Sequence, residues 1–216
     1  MDASALASRP DADLLEDWRA GNSQAGQLLF ERHYPTVERF LLNKVPADRV
    51  VDLVQNTFMA CVQARDNIRD PDRFRAYLLR VAYSQFCHHL RKRYLNGASL
   101  DPEEVSLRDL DPSASSLVAR AREQRLLLEG LRAISINYQT VLELHYWEDL
   151  STMEIAEVLG VPSGTVRSRL QRARDALEAA MAAIANSREL LESTLTSLDD
   201  WAERCNRELI RTTRER

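Results

Sequence analysis

Glycine and proline are scarce, six and seven in a chain of 216 residues. So few chain breakers argue against a turn-rich β fold and for long, uninterrupted helices. The alternation of Val, Ile and Thr that half-buried strands require is missing too. No apolar run approaches the roughly 20 residues of a membrane span. The opening MDASALASRPDADLLEDW has neither the basic start nor the apolar stretch of a secretory signal. Cysteine is limited to Cys61, Cys87 and Cys205, an odd and scattered set that fits reduced thiols in cytoplasm better than a disulfide framework. Patterns that carry catalysis are equally thin. There is no Gly-rich phosphate loop and no nucleophile–base spacing. Around Cys87-His88-His89 no CxxC or HxxxH completes a metal site, and neighbouring side chains on a helix point apart. His33 and His145 sit among apolar neighbours and read as core or boundary histidines. The chain is therefore expected to be neither an enzyme nor a holder of a metal or cofactor.

What is present is Leu, Ala, Arg and Glu, with 44% hydrophobic and 29% charged residues. That composition predicts an all-α fold large enough for one or two domains. Residues 1–10 read as a loose tail. Residues 11–95 form a first helical unit, with apolar positions at helical spacing: Leu14, Leu15 and Trp18, then Leu28, Leu29 and His33, then Val37, Phe40 and Leu41. A turn falls at Ala20-Gly21-Asn22-Ser23, and Pro35 and Pro46 mark kinks or ends. One helix is expected from Ala47 or Asp48 to Ala64, another from about Pro71 to Leu95. Residues 96–116 are rich in Ser, Asp and Pro and read as an acidic linker, or a set of short turns, rather than core. Residues 117–182 form a second helical unit. Residues 183–216 carry one apolar seam (Leu191, Leu195, Leu198, Ala202, Cys205, Leu209), which predicts an amphipathic helical extension.

The stretch MEIAEVLGVPSGTVRSRLQRAR, residues 153–174, is the most informative. Ser151 with Glu154 three residues on reads as a capping box. Ile155, Ala156, Val158 and Leu159 supply the buried side of a short helix, and Gly160 fits the left-handed position that ends it. Pro162 cannot extend that helix, and Ser163 can cap the next, whose Val166 and Leu170 face the core. Ala156 is small where the two helices would cross. This is the pattern of a helix-turn-helix, whose second helix enters the major groove of DNA. Four arginines follow on that helix although the chain carries a net charge of −4. Overall acidity argues against a protein coated in nucleic acid, but local charge is what a phosphate backbone meets. Ser163, Thr165, Arg167 and Ser168 lie at the end where base contacts are usual. Arg169, Arg172 and Arg174 complete the candidate DNA surface. Read blandly, the arginines are a solvated face balanced by Asp175 and Glu178; the turn ahead of them favours DNA.

The first unit holds a second basic stretch. Arg73, Arg75, Arg80, Arg91, Lys92 and Arg93 alternate with Phe74, Tyr77, Tyr83, Phe86 and Tyr94. Positive charge that tracks a backbone, with aromatics that accept unstacked bases, is how single strands are bound. Phe74 and Phe86 read as core, whereas Arg80, Tyr83 and Arg91-Lys92-Arg93 read as functional.

Together these motifs resemble the extracytoplasmic-function (ECF) branch of the sigma-70 family of transcription initiation factors. LSTMEIAEVLGVPSGTVRSRLQRARDAL, with LRAISINYQTVLELHYWEDLS ahead of it, is similar to region 4, which in that family reads the −35 promoter element. VVDLVQNTFMACVQARDNI resembles the region 2 helix that docks on core RNA polymerase. FRAYLLRVAYSQFCHHLRKRYL resembles the helix that recognises and melts the −10 element. The resemblance implies polymerase contacts at Asp52, Gln55 and Asn56, with Leu53, Val54, Phe58 and Val62 as core behind them. It implies −10 contacts at Arg80, Tyr83, Ser84, His88, Arg91, Lys92 and Arg93. Ser84 and His88 stand where family members often carry Asn and Asp, and Asn56 where they often carry an acid. The implied partners are core RNA polymerase and promoter DNA, together with an anti-sigma factor or self-inhibition by residues 183–216. Two other readings remain open on the residues alone: a helix-turn-helix regulator binding duplex DNA as a dimer, and a helical adaptor that binds only proteins.

Overall fold

A computed structural model describes residues 8–68, 70–94, 105–110 and 122–185. Among them the elements are α1 (Asp11–Arg19), α2 (Ser23–Leu42), α3 (Ala47–Ala64), α4 (Phe74–Tyr94), α5 (Leu107–Leu110), α6 (Arg122–Ala133), α7 (Ile136–Tyr146), α8 (Thr152–Leu159) and α9 (Ser163–Ile184). Two single 3-10 turns, Arg65–Asn67 and Pro71–Arg73, separate α3 from α4. The all-α expectation holds, and none of these helices is long and apolar enough to cross a membrane.

Local chemistry sets most of the boundaries. α1 opens with Asp11 and Asp13 and closes with Arg19, charges that oppose the helix dipole at each end. Gly21, at φ 101°, turns the chain. The Asn22 side chain then caps α2 by accepting from the amides of Gln24 and Ala25. α2 runs through Pro35 without stopping, while Pro46 immediately precedes α3. A Cβ on Gly26 would sit 2.6 Å from the indole nitrogen of Trp18, so glycine is what lets α1 and α2 close on one another.

Helices α1 to α4 pack together, as do α6 to α9, and α4 lies directly against α8. The buried apolar residues of both halves form one continuous cluster from Leu14 to Met181. α4 is buried on several sides, through Phe74, Ala76, Leu78, Leu79, Ala82, Phe86 and Leu90. α7 is buried almost all round, as befits a central helix.

The junction between the halves is also charged. The Lys44 ammonium, its side chain 0% exposed, donates to the Glu143 carboxylate and to the Phe40 carbonyl at 2.9 Å. Gln139 donates to Glu143 at 2.8 Å. Arg39 donates through two nitrogens to Glu148 at 2.6 and 2.9 Å, and both side chains are buried. Burial pushes the Lys44 ammonium well below its ordinary range against the pull of Glu148. Burial also raises the Glu148 carboxyl, and Arg39 only partly offsets it.

The structure corrects three expectations. Within the segment read as linker or short turns rather than core, Leu107 of the short α5 is buried, and Ile136 donates its amide to the Val105 carbonyl; an apolar side chain with a partner helix beside it docks instead of staying in water. The rest of that segment and the seam from Leu191 onward lie outside the described residues. Val62 is exposed, because Cys61 takes the core position of that turn and leaves its neighbour about 100° round the helix. Ser163 is the first residue of α9 rather than its cap, and no side-chain cap bond forms there.

Candidate nucleic-acid interface

The helix-turn-helix is built from α8 and α9. Ser151 and Glu154 form the capping box: the Ser151 hydroxyl accepts from the Glu154 amide at 3.3 Å, and the Glu154 carboxylate accepts from the Ser151 amide at 2.9 Å. Burial works against the Glu154 charge, but the bonds from Ser151 prevail and hold its carboxyl below the ordinary glutamate value. Gly160 ends α8 at φ 68°, in the left-handed region, where a glycine meets no Cβ penalty. Val161 returns its amide to the Ala156 carbonyl, which closes the turn.

α9 then divides into two faces. Val166, Leu170, Ala173, Leu177 and Met181 are buried. Arg167, Ser168, Arg172 and Arg174 are exposed, and Ser163, Thr165 and Arg169 are half-buried. Ser168 turns its hydroxyl back to the Thr165 carbonyl at 3.0 Å. Arg174 donates to the Tyr146 hydroxyl at 2.6 Å and lies 5.5 Å over that ring. The first turns of α9 therefore present a basic, polar surface, while Arg174 is already held by the helix packed beneath it. Nothing in the sequence pattern indicated that Tyr146 would hold it.

The −10 candidates occupy α4. Arg80, Ser84, His88, Arg91, Lys92 and Arg93 are exposed, and the four-residue steps from Arg80 through Ser84 and His88 to Lys92 align them on one face. Tyr83 sits on the adjoining face, half-buried, and donates to the Asn137 side-chain oxygen of α7 at 3.2 Å. Burial, then the neighbouring Cys87, raises the Tyr83 hydroxyl; Arg169 and Arg91 oppose this. Burial and then Arg93 lower the His89 ring. Phe74 and Phe86 are fully buried, as expected of core. Beside this face a cleft of about 390 Å³ is lined by Asn67, Asp70, Arg73, Tyr77, Arg80 and Glu157. Arg80 lies 5.1 Å over the Tyr77 ring, and Arg73 pairs with Glu157 of α8.

A third surface lies on α3. Asp52, Gln55 and Asn56 are exposed in consecutive turns. Val51 (50% exposed), Met59 (56%) and Val62 (44%) flank them. Leu53, Val54 and Phe58 face the core behind. Such a mixed apolar and polar face suits a protein partner better than a phosphate backbone. Sequence reading missed Val51 and Met59, although both lie off the stripe through Val50, Val54 and Cys61.

Both helical halves match known proteins. The family model described as Sigma-70 region 2 matches residues 29–95, and the one described as Sigma-70, region 4 matches residues 124–177. The chain is similar to the ECF RNA polymerase sigma-E factor of Haemophilus influenzae, 28% identical over 182 residues, which cover 78% of this chain and 93% of that protein. It is likewise 28% identical over 176 residues to the protein of that name in Escherichia coli K12, with 78% and 92% covered. Among solved structures it resembles CnrH in complex with the cytosolic domain of CnrY, at 28% identity and TM-score 0.56, covering 81% of this chain and 99% of that one. It shares the fold of the sigma factor RpoE of Bartonella quintana in complex with the anti-sigma factor NepR, at 20% identity and TM-score 0.56, with 71% and 94% covered.

Proposed function

The chain belongs to the sigma-70 family as an ECF-type sigma factor that directs RNA polymerase to promoters, and we propose that its two helical units divide the work of recognition. In this reading residues 11–95 meet core RNA polymerase and the −10 element, residues 96–116 connect, and residues 117–182 meet the −35 element. Arg167 and Ser168 reach base edges from the N-terminal turns of α9, and Arg169, Arg172 and Arg174 meet phosphates. Arg80, Ser84, His88 and Arg91-Lys92-Arg93 track the −10 strand, with Tyr83 beside them. Asp52, Gln55 and Asn56, framed by Val51 and Met59, meet polymerase.

The observation that carries the reading is the division of α9 into a buried apolar stripe and an exposed arginine face directly after a capped, glycine-ended turn. That face suits a major groove, and the second basic helix, α4, suits a melted strand. The cytoplasm is the compartment the reading requires. An anti-sigma factor, or residues 183–216 in its place, is the partner expected to keep the chain inactive. Transcription in vitro from a promoter library with purified core polymerase tests the whole. Initiation from a distinct promoter class is expected with the chain and not without it. Tight, specific binding of the isolated chain to palindromic duplex, unaffected by polymerase, would favour a dimeric regulator instead.

A further inference from the structure

Arg174 is exposed, yet it is tied to another helix. Its Nε donates to the Tyr146 hydroxyl at 2.6 Å, and its guanidinium carbon lies 5.5 Å from the centre of the same ring. The tie has a firm base. Tyr146 is half-buried at the C-terminal end of α7, which packs along α9. Leu144 and Trp147 on either side of it are 0% and 4% exposed, so core packing fixes the backbone beneath the ring. The ring meets His145 edge-on, 4.9 Å between centroids, and the His145 Nδ1 donates to the Leu150 carbonyl at 3.4 Å. Tyrosine has far fewer side-chain torsions than arginine, so here the stiffer group orients the looser one.

Position decides what the held guanidinium can reach. Arg174 lies seven residues after Arg167, two turns and about 10.5 Å along α9, on the same face. That separation is close to the width of the major groove, about 12 Å. With Arg167 over base edges, Arg174 stands at the phosphate rim. The tyrosine occupies only the Nε proton. The N–H groups of both terminal nitrogens remain for phosphate oxygens, and they form the bidentate edge of the fork. An unheld arginine gives up its rotamer freedom when it binds, whereas one already held has given it up on folding.

We propose that Tyr146 is a positioning residue for −35 binding, which holds the Arg174 guanidinium in the orientation that meets a phosphate and acts through Arg174 rather than by touching DNA. The proposal rests on the promoter reading above for what the held arginine meets. The full chain on core polymerase, titrated with a promoter drawn from the transcription library across a range of potassium chloride, tests it. Tyr146→Phe keeps the ring and loses the hydroxyl. Affinity is expected to fall about three- to tenfold, the worth of immobilising one long side chain. The fall is expected at every promoter alike and with the salt slope unchanged, because Arg174 still neutralises its phosphate once bound. Arg174→Ala is expected to flatten the slope by about one counterion, and in that background Tyr146→Phe changes nothing further.

A tyrosine that serves the fold alone would behave otherwise. Its loss would persist in the Arg174→Ala background and would follow the folded fraction measured by circular dichroism, and that outcome overturns the proposal. Wild-type affinity in Tyr146→Phe overturns it as well, as does an unchanged salt slope in Arg174→Ala, since Arg174 then meets no phosphate. Arg174→Lys decides the matter where Tyr146→Phe misfolds. Lysine keeps the charge and the slope, but one ammonium has to serve both tyrosine and phosphate, so affinity is expected to fall over the same range, and a lysine variant equal to wild type overturns the proposal. Failure of the promoter reading looks different: the unsubstituted chain then confers no promoter affinity on polymerase, and the role of Tyr146 falls with it.

Discussion

α9 and α4 are both long and basic and are both proposed to meet DNA, yet they are built on opposite plans. α9 separates its tasks by face: Val166, Leu170, Ala173, Leu177 and Met181 hold the core while Arg167, Ser168 and Arg172 stand in solvent. α4 is packed from several sides, and its candidate residues occupy the narrow strip left over. Tyr83, on the border of that strip, is engaged by Asn137 from the other half of the molecule. A reading surface set apart by face tolerates substitution without harm to the fold. A surface wrapped around a core does not.

Core substitution in α4 should break the comparison most severely. Phe86 is fully buried, with the Tyr83 ring of the same helix 6.5 Å away between centroids. Phe86→Ala is expected to cost about 3–5 kcal/mol, the usual range for a buried aromatic truncated in a packed core. Chemical denaturation with a shared midpoint for near- and far-ultraviolet signals checks it. Promoter activity should fall with the folded fraction, so a stable Phe86→Ala protein with lost activity would mean that Phe86 itself touches DNA.

A substitution on the exposed face of α9 should do the reverse. Arg167→Ala is expected to leave the thermal midpoint unchanged and to lower discrimination at one −35 base pair by about 1–3 kcal/mol, the worth of a bidentate arginine–guanine contact. Competition between matched and single-mismatch promoters measures it. Arg172→Ala should instead weaken every promoter alike and flatten the salt dependence by about one counterion. Equal losses across matched and mismatched sites in Arg167→Ala would move Arg167 from base to backbone contact.

The same contrast governs what sequence reading could reach. The turn of the helix-turn-helix is written in six neighbouring positions: Ser151 and Glu154 cap, Gly160 takes the left-handed angle, Pro162 stops the first helix, and Val166 with Leu170 face inward. Each acts within four residues, so a window of sequence contains the whole argument. The junction lies beyond that reach. Lys44 and Glu143 are 99 residues apart, and Arg39 and Glu148 are 109 apart. A lysine or arginine after an apolar helix reads as a solvated end until its partner's position is known. Tyr146 under Arg174 and Asn137 on Tyr83 are invisible for the same reason. Val62 was misplaced by a different cause: Cys61 and Val62 compete for one core position, and composition alone does not decide which side chain turns inward.

The smallest expected effect sharpens the claim that α8 is locally encoded. Ser151→Ala removes the hydroxyl that accepts from the Glu154 amide and donates to the Glu154 carboxylate at 2.6 Å. Losing an N-cap side chain costs about 1 kcal/mol, and here Ser151 is exposed and Glu154 only half-buried, which trims the ionic part through solvent screening. The Glu154 carboxyl is held below its ordinary value in the folded chain. A depressed carboxyl contributes stability above its unfolded value and loses it as pH falls through the folded one. The difference between wild type and Ser151→Ala should therefore be full near neutral pH and shrink in acid, below the ordinary glutamate range. It should not vanish, because the hydroxyl still accepts from the Glu154 amide when the carboxyl is protonated. Urea melts of both proteins across that range measure the difference directly. A difference independent of pH would mean that the carboxylate half of the capping box adds nothing, and that the serine acts on the backbone amide alone.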